Sequence, residues 1–175
     1  MSLIIFLRGV NVGGHKTFRP SRIAEELKEY GVVNIGAAGT FVVRNPGSKT
    51  KFCALLRSKL PFETKIFTCD SKALIELETK NPFTPLVASS ETVRFVSIFS
   101  QRVDSKKTKI TLPKKGPWLV KIVASQGQFI FGLYRRHMKT IRYLGELDRH
   151  FEGSATTRNW NTIMAILRIL KMERQ

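Results

Sequence analysis

The sequence predicts an α+β protein of two small subdomains, each a mixed or antiparallel sheet covered by helices. Three observations carry this. Short apolar runs alternate with helix-period segments over residues 1–81. The segment Asn81-Pro82-Phe83-Thr84-Pro85 cannot continue a helix, because proline lacks an N–H and restricts the residue before it. Residues 86–175 then hold three strand-like runs and a closing helix. A strand-helix-strand-helix-strand-helix half followed by a strand-rich half makes two layered sheets within a single compact unit.

The first half begins with Leu3 to Leu7, a short apolar run ended by Arg8-Gly9 that reads as a buried strand. Gly9 to Arg19 is a loop. Pro20 suits a first helical position, Ile23, Ala24, Leu27 and Tyr30 recur at helical spacing, and Gly31 ends that helix. Ile35 to Arg44 reads as one strand centred on Phe41-Val42-Val43, and Asn45-Pro46-Gly47-Ser48 as a turn. Ser48 caps a second helix bearing Phe52, Leu55, Leu56 and Leu60. Thr64 to Thr68 is a third strand. Asp70 or Ser71 caps a third helix with Leu74, Ile75 and Leu77.

In the second half, Thr92 to Phe99, Trp118 to Ala124 and Gln128 to Tyr134 read as strands, the last two joined by a turn at Gln126-Gly127. Arg102 to Lys115 is a basic connection. Thr140 to His150 predicts a short helix. Trp160 to Met172 predicts a longer one, with Trp160, Ile163, Met164, Leu167 and Leu170 on one stripe.

Composition bounds the function. Of 175 residues 42% are apolar, enough for a core and too many for a disordered chain. No apolar run approaches the roughly 20 residues of a spanning helix, and no basic segment, apolar stretch and small-residue site form a leader. A soluble, cytoplasmic protein that meets no membrane is expected. Cys53 and Cys69, without a CxxC or histidine pair, read as reduced thiols packed inside, so neither a metal nor another cofactor is expected.

Charge is the second strong signal. Thirty Lys and Arg against 13 acids give +17 and a pI near 10.4. Residues 1–85 hold 13 basic and 7 acidic side chains, against 17 and 6 over residues 86–175. Such a chain attracts polyanions, and nucleic acid is the first partner to consider. Lys106, Lys107, Lys109, Lys114, Lys115, Arg135 and Arg136 are the candidate phosphate contacts. Phe95 with Phe99, and Phe129 with Phe131, share strand faces. They either stack on unpaired bases or pack in the core, and the core reading prevails at strand period two.

Two motifs stand apart. Leu7-Arg-Gly-Val-Asn-Val-Gly-Gly14 has the glycine separation of a phosphate loop, but His15 intrudes before Lys16-Thr17 and Pro20 delays the helix. Its glycines and Asn11 serve either a ligand or a tight connection in which Asn11 bonds its own backbone. In Thr156-Thr-Arg-Asn-Trp-Asn-Thr162, Thr156 or Thr157 can cap the last helix, and Arg158 can clamp an anion at its start. Taken together, Arg8, Asn11, Gly13, Gly14, Thr157, Arg158, Asn159 and Asn161 are the candidate ligand-binding set, for a phosphorylated or carboxylated metabolite in a shared pocket. His15, His137 and His150 sit among cations, a poor setting for a divalent metal, and no catalytic residue can be named.

At these motifs the chain resembles a bacterial domain-of-unknown-function family, number sixteen ninety-seven, whose members open with LRGxNVGG and close with TTRNWNT. The helix near Pro20, the Asn81-Pro82-Phe83 step and the strand Phe129 to Tyr134 fall where that family has similar features. Where its members carry Gln-Ser-Gly-Asn-Val, this chain has Ala37-Ala38-Gly39-Thr40-Phe41, which weakens any ligand role of those polar groups. The resemblance implies two α+β subdomains and brings no activity with it.

Overall fold

The computed structural model describes residues 1–83 and 89–172. Thr84 and Pro85 of the expected boundary lie outside that range. The chain divides into two compact units, Met1–Glu76 joined by the chain from Met164 onward, and Leu77–Ile163.

The first unit holds an antiparallel sheet of β1 (Leu3–Leu7), β2 (Val32–Ile35), β3 (Thr40–Val43) and β4 (Ile66–Asp70), in the order β2-β3-β1-β4. Helices α1 (Pro20–Glu26), α2 (Lys49–Lys59) and α3 (Ser71–Thr79) complete the elements that begin in it. β1 is buried at every residue because it is central in the sheet. Of the run read as one strand from Ile35 to Arg44, only Thr40–Val43 is β3. Ile35 ends β2, which sequence reasoning does not foresee, and the turn between them holds Gly36 and Gly39, both at positive φ. The caps follow their chemistry. Ser48 Oγ accepts from Lys51 N (3.4 Å), Asp70 Oδ1 from Ala73 N (3.0 Å), and Gly31 closes its turn in the left-handed region. Leu3, Ile5, Leu7, Phe41, Phe52 and Leu56 are among the residues of one apolar cluster.

The second unit holds a five-stranded antiparallel sheet, ordered β6-β7-β8-β5-β9. Its strands are β5 (Thr92–Phe99), β6 (Thr111–Leu112), β7 (Val120–Gln126), β8 (Phe129–Arg135) and β9 (Ala155–Asn159). Sequence reasoning foresees three of them. β6 pairs over two residues only, and β9 is polar, so neither shows an apolar alternation. The helices are α4 (Thr140–His150) and α5 (Trp160–Met172), at the bounds the periodicity predicts, and α5 from Met164 onward belongs to the first unit. On α5, Trp160, Ile163, Leu167 and Leu170 are buried as expected, together with Ile166, whereas Met164 is half-buried.

All four phenylalanines weighed as base-stacking groups are core. Phe95 and Phe99 join the cluster of Leu147 and Phe151, while Phe131 lies edge-on to Phe83 and Trp160. Phe129 is 3% exposed. Each such burial contributes roughly 2 kcal/mol. Both thiols are free and buried. Burial is the main cause raising each pKa, with Asp70 adding at Cys69. Among the described residues no helix is long and apolar enough to cross a membrane, and no three His, Cys, Asp or Glu side chains group as a metal site needs.

Candidate functional site

The opening motif is built around a tight hairpin. Val12 and His15 form an isolated antiparallel bridge, with Gly13 and Gly14 between them at φ 57° and 76°. A two-residue turn of that hand needs positive φ at both central residues, which is why two glycines stand there. Asn11 holds the base of the loop. Its Nδ2 donates to the carbonyls of Phe18 (3.1 Å) and Ala37 (2.7 Å), and its Oδ1 accepts from Phe18 N (2.9 Å). Both amide donors and the carbonyl are therefore used by main chain. Lys16, which a phosphate loop would aim at its ligand, donates to the Glu63 carbonyl at 2.7 Å. Arg8 is tied through its main chain to Lys65 O and Thr64 Oγ1.

The stretch Ala37 to Phe41, where the chain departs from the family pattern, is the other half of this clamp. Ala37 O receives Asn11 and Gly39 O receives Leu7 N at 2.8 Å. Gly39 is at φ 69°, and a Cβ there would lie 2.8 Å from Leu7 Cβ. The departure changes side chains and leaves these main-chain bonds in place.

The closing motif differs from its expected form. Thr156 and Thr157 do not cap α5, because they are residues of β9, paired across from Ile98 and Ser97. Thr157 Oγ1 is 2.7 Å from Ser97 Oγ. The cap is Asn159, whose Oδ1 accepts from Asn161 N at 2.7 Å. Arg158, foreseen as an anion clamp, is only 6% exposed. Its Nη1 donates to Thr156 Oγ1 and to the Thr157 carbonyl, both at 2.9 Å, and burial pushes its pKa down to about 10.

Asn159 and Asn161, by contrast, are exposed and line a cavity of about 230 Å³ with Arg94 and Arg136. Among the described residues no acidic side chain is in its lining. Arg94 escapes sequence reasoning as a site residue, since it sits inside an apolar strand run.

The lysines expected to meet phosphate gather on the β6 edge of the sheet. Val103 N bonds Gly127 O (2.9 Å) and Ile122 N bonds Ile110 O (2.9 Å), so the connection after β5 runs antiparallel to β7. Lys106 and Lys107 sit in a 3-10 turn over Ser105–Lys107, opened by Asp104, whose Oδ1 accepts from Lys106 N. Lys106, Lys109, Lys114 and Lys115 are exposed. Lys107 is half-buried and pairs with Glu152 at 3.1 Å. Lys121, missed in the sequence, is exposed on β7 opposite Thr111. β7 is seven residues long, so the stripe extends roughly 23 Å at about 3.3 Å per residue.

At the far end of β8 the stripe meets a groove of about 680 Å³. Arg135, Arg136 and Lys139 supply its charge, and Tyr143, Pro113 and Pro117 its apolar wall. Glu91 is the one carboxylate among its lining residues. Arg135 Cζ lies 4.3 Å from the Trp118 ring centroid. The signal for this contact was in the hairpin. A turn at Gln126-Gly127 carries Trp118 alongside Arg135 and Arg136, as the pairing of Val120 with Tyr134 shows.

Counted by unit, the charge is even. Met1–Glu76 with the chain from Met164 onward holds 15 basic and 7 acidic residues, Leu77–Ile163 holds 15 and 6. The excess seen along the second half of the chain is thus a matter of where the cut is made. The second unit is distinguished by a stripe of exposed lysines beside one sheet edge.

The chain belongs to the family described as protein of unknown function (DUF1697), which matches residues 1–117. The opening motif lies within that stretch and the closing motif beyond it. No curated protein matches the chain. Among solved structures it is similar to a conserved bacterial protein, SP0830, from Streptococcus pneumoniae. The TM-score is 0.60 at 15% identity, over 97% of this chain and 98% of that one. At that identity the likeness is one of fold.

Proposed function

We propose that this protein is a binding module for an anionic polymer, nucleic acid first, and that the second unit carries the contact surface. The single observation behind this reading is the line of exposed lysines at Lys106, Lys109, Lys114, Lys115 and Lys121 along one sheet edge, continued by Arg135 and Arg136. Lysines spaced along an edge follow a phosphate backbone by charge, without reading sequence. The partner is held in the cytoplasm, with no cofactor and no reaction.

A salt series tests this. Binding of mixed RNA and DNA oligonucleotides should be tightest at low salt. The logarithm of affinity should fall linearly with the logarithm of salt, by about 0.7 per phosphate neutralised on a single strand. Absence of binding at the lowest salt removes the reading, since electrostatic affinity is greatest there.

The second reading is a small phosphorylated or carboxylated metabolite in the cavity lined by Arg94, Arg136, Asn159 and Asn161. Two guanidinium groups and two carboxamides facing a space without a carboxylate favour it. Thermal shifts with phosphosugars and nucleotides, abolished by Asn161→Ala, would support this reading over the first.

A further inference from the structure

Building on the nucleic-acid reading, we infer that the groove at the end of β8 takes single-stranded nucleic acid, with an unpaired base lodged against Tyr143 and the Arg135 guanidinium. Charge alone would accept duplex and single strand alike. The groove adds what a duplex cannot use. Bases of a duplex are stacked on one another, whereas an unpaired base can lie on an aromatic ring or on a guanidinium plane.

Arg135 is built to be such a plane. Its main chain is fixed at both ends of the residue, N donating to Leu119 O at 2.8 Å and O accepting from the buried Thr140 hydroxyl at 2.6 Å. Its guanidinium lies over Trp118, and its buried Nε has no hydrogen-bond partner. Stacking therefore sets its direction, and the same side chain lines the groove. Cation–π contact with the indole holds the charge in place.

Glu91 is a lining carboxylate that opposes a phosphate, and three cations stand against it; the apolar lining fits the same occupant. Tyr143 is half-buried and packs from behind on the cluster of Leu147 and Phe151, which holds its ring in place. Pro113 and Pro117 add rigid apolar wall. Arg136 and Lys139 are exposed beside them and can hold the flanking phosphates. A volume near 680 Å³ is within the range of roughly 300–1,000 Å³ typical of ligand sites. The four buried phenylalanines of the sheet are unavailable for stacking, whereas Tyr143 in this groove is half-buried.

The full chain, a twelve-nucleotide oligouridylate, its oligodeoxythymidylate counterpart and a duplex of equal length make the test, at matched salt. The sequence has two tryptophans, half-buried Trp118 and buried Trp160 at the other cavity, so quenching that persists in Trp160→Phe reports Trp118. Both single strands should quench this emission and bind about tenfold more tightly than the duplex. Arg135→Lys keeps the charge and loses the plane, and should cost about tenfold in single-strand affinity. Tyr143→Leu, which keeps the apolar packing, should cost a similar factor and carries the test if the first variant misfolds. Tyr143→Leu should leave duplex affinity unchanged. Equal affinities for strand and duplex with unchanged emission overturn the inference while leaving the charge-based reading intact. Failure of every oligonucleotide to bind overturns both, as does binding confined to anionic vesicles, on which exposed Met138 and Ile141 could land.

Discussion

As stretches of sequence, the glycine loop of the first unit and the β6 edge of the other unit are alike. Each is short, polar, basic and broken by glycine or proline, between apolar elements. In the fold they are opposites. The loop spends its polar groups on itself: Asn11 satisfies three main-chain groups, Lys16 bonds a carbonyl, and Gly13-Gly14 provides a turn. The β6 edge turns Lys106, Lys109, Lys114 and Lys115 to solvent. A polar motif is therefore no sign of a binding site until its hydrogen bonds have been assigned.

The sharpest way to break this contrast is at Gly39. A Cβ there meets Leu7 Cβ at 2.8 Å in a residue already at positive φ. Gly39→Ala should lower unfolding free energy by about 3 kcal/mol in a urea titration. Oligonucleotide affinity at temperatures where the variant is folded should not change. A stable variant would mean that the loop is not clamped as described.

Asn11→Ala should follow, at about 2 kcal/mol, because the Phe18 N–H and the two carbonyls lose their partner. Its salt dependence of nucleic-acid binding should match the parent. A selective loss of affinity at unchanged stability would move the loop from scaffold to site.

The smallest effect on stability, and the reverse on binding, is expected of Lys109→Ala, Lys114→Ala and Lys115→Ala combined. Unfolding free energy should stay within about 0.5 kcal/mol, as for exposed side chains generally. The salt slope of single-strand binding should shrink by about 2. Lysines on an edge strand also deter edge-to-edge pairing. If the triple variant aggregates while its monomer keeps the parental slope, that role explains the stripe instead.

Much of the architecture is legible in the chain. The apolar run Leu3 to Leu7, the proline opening α1, the Ser48 cap and the 3.6-residue stripe of α5 are local signals, and the elements stand where those signals fall. Sequence reasoning reads one strand from Ile35 to Arg44 across Gly36 and Gly39 and leaves residues 32–34 out, and only the pairing of Val32 with Val43 shows a hairpin. β9 is unreadable for a different reason. Thr156 to Asn159 is polar, and it becomes a strand by hydrogen-bonding to β5, some 60 residues away.

The site divides in the same way. Net charge, the lysines of the β6 connection and Arg136 are properties of the sequence, since charge needs no partner to exist. The Arg135–Trp118 contact, the exposure of Lys121 and the burial of Arg158 come from register and strand order, which bring distant residues together and turn each side chain toward core or solvent. By itself the chain determined an α+β fold and a net charge of +17. Only the tertiary structure decided which of its polar groups are already satisfied and which still face water, because a hydrogen bond belongs to a pair of groups in space and leaves no trace in the composition of either segment.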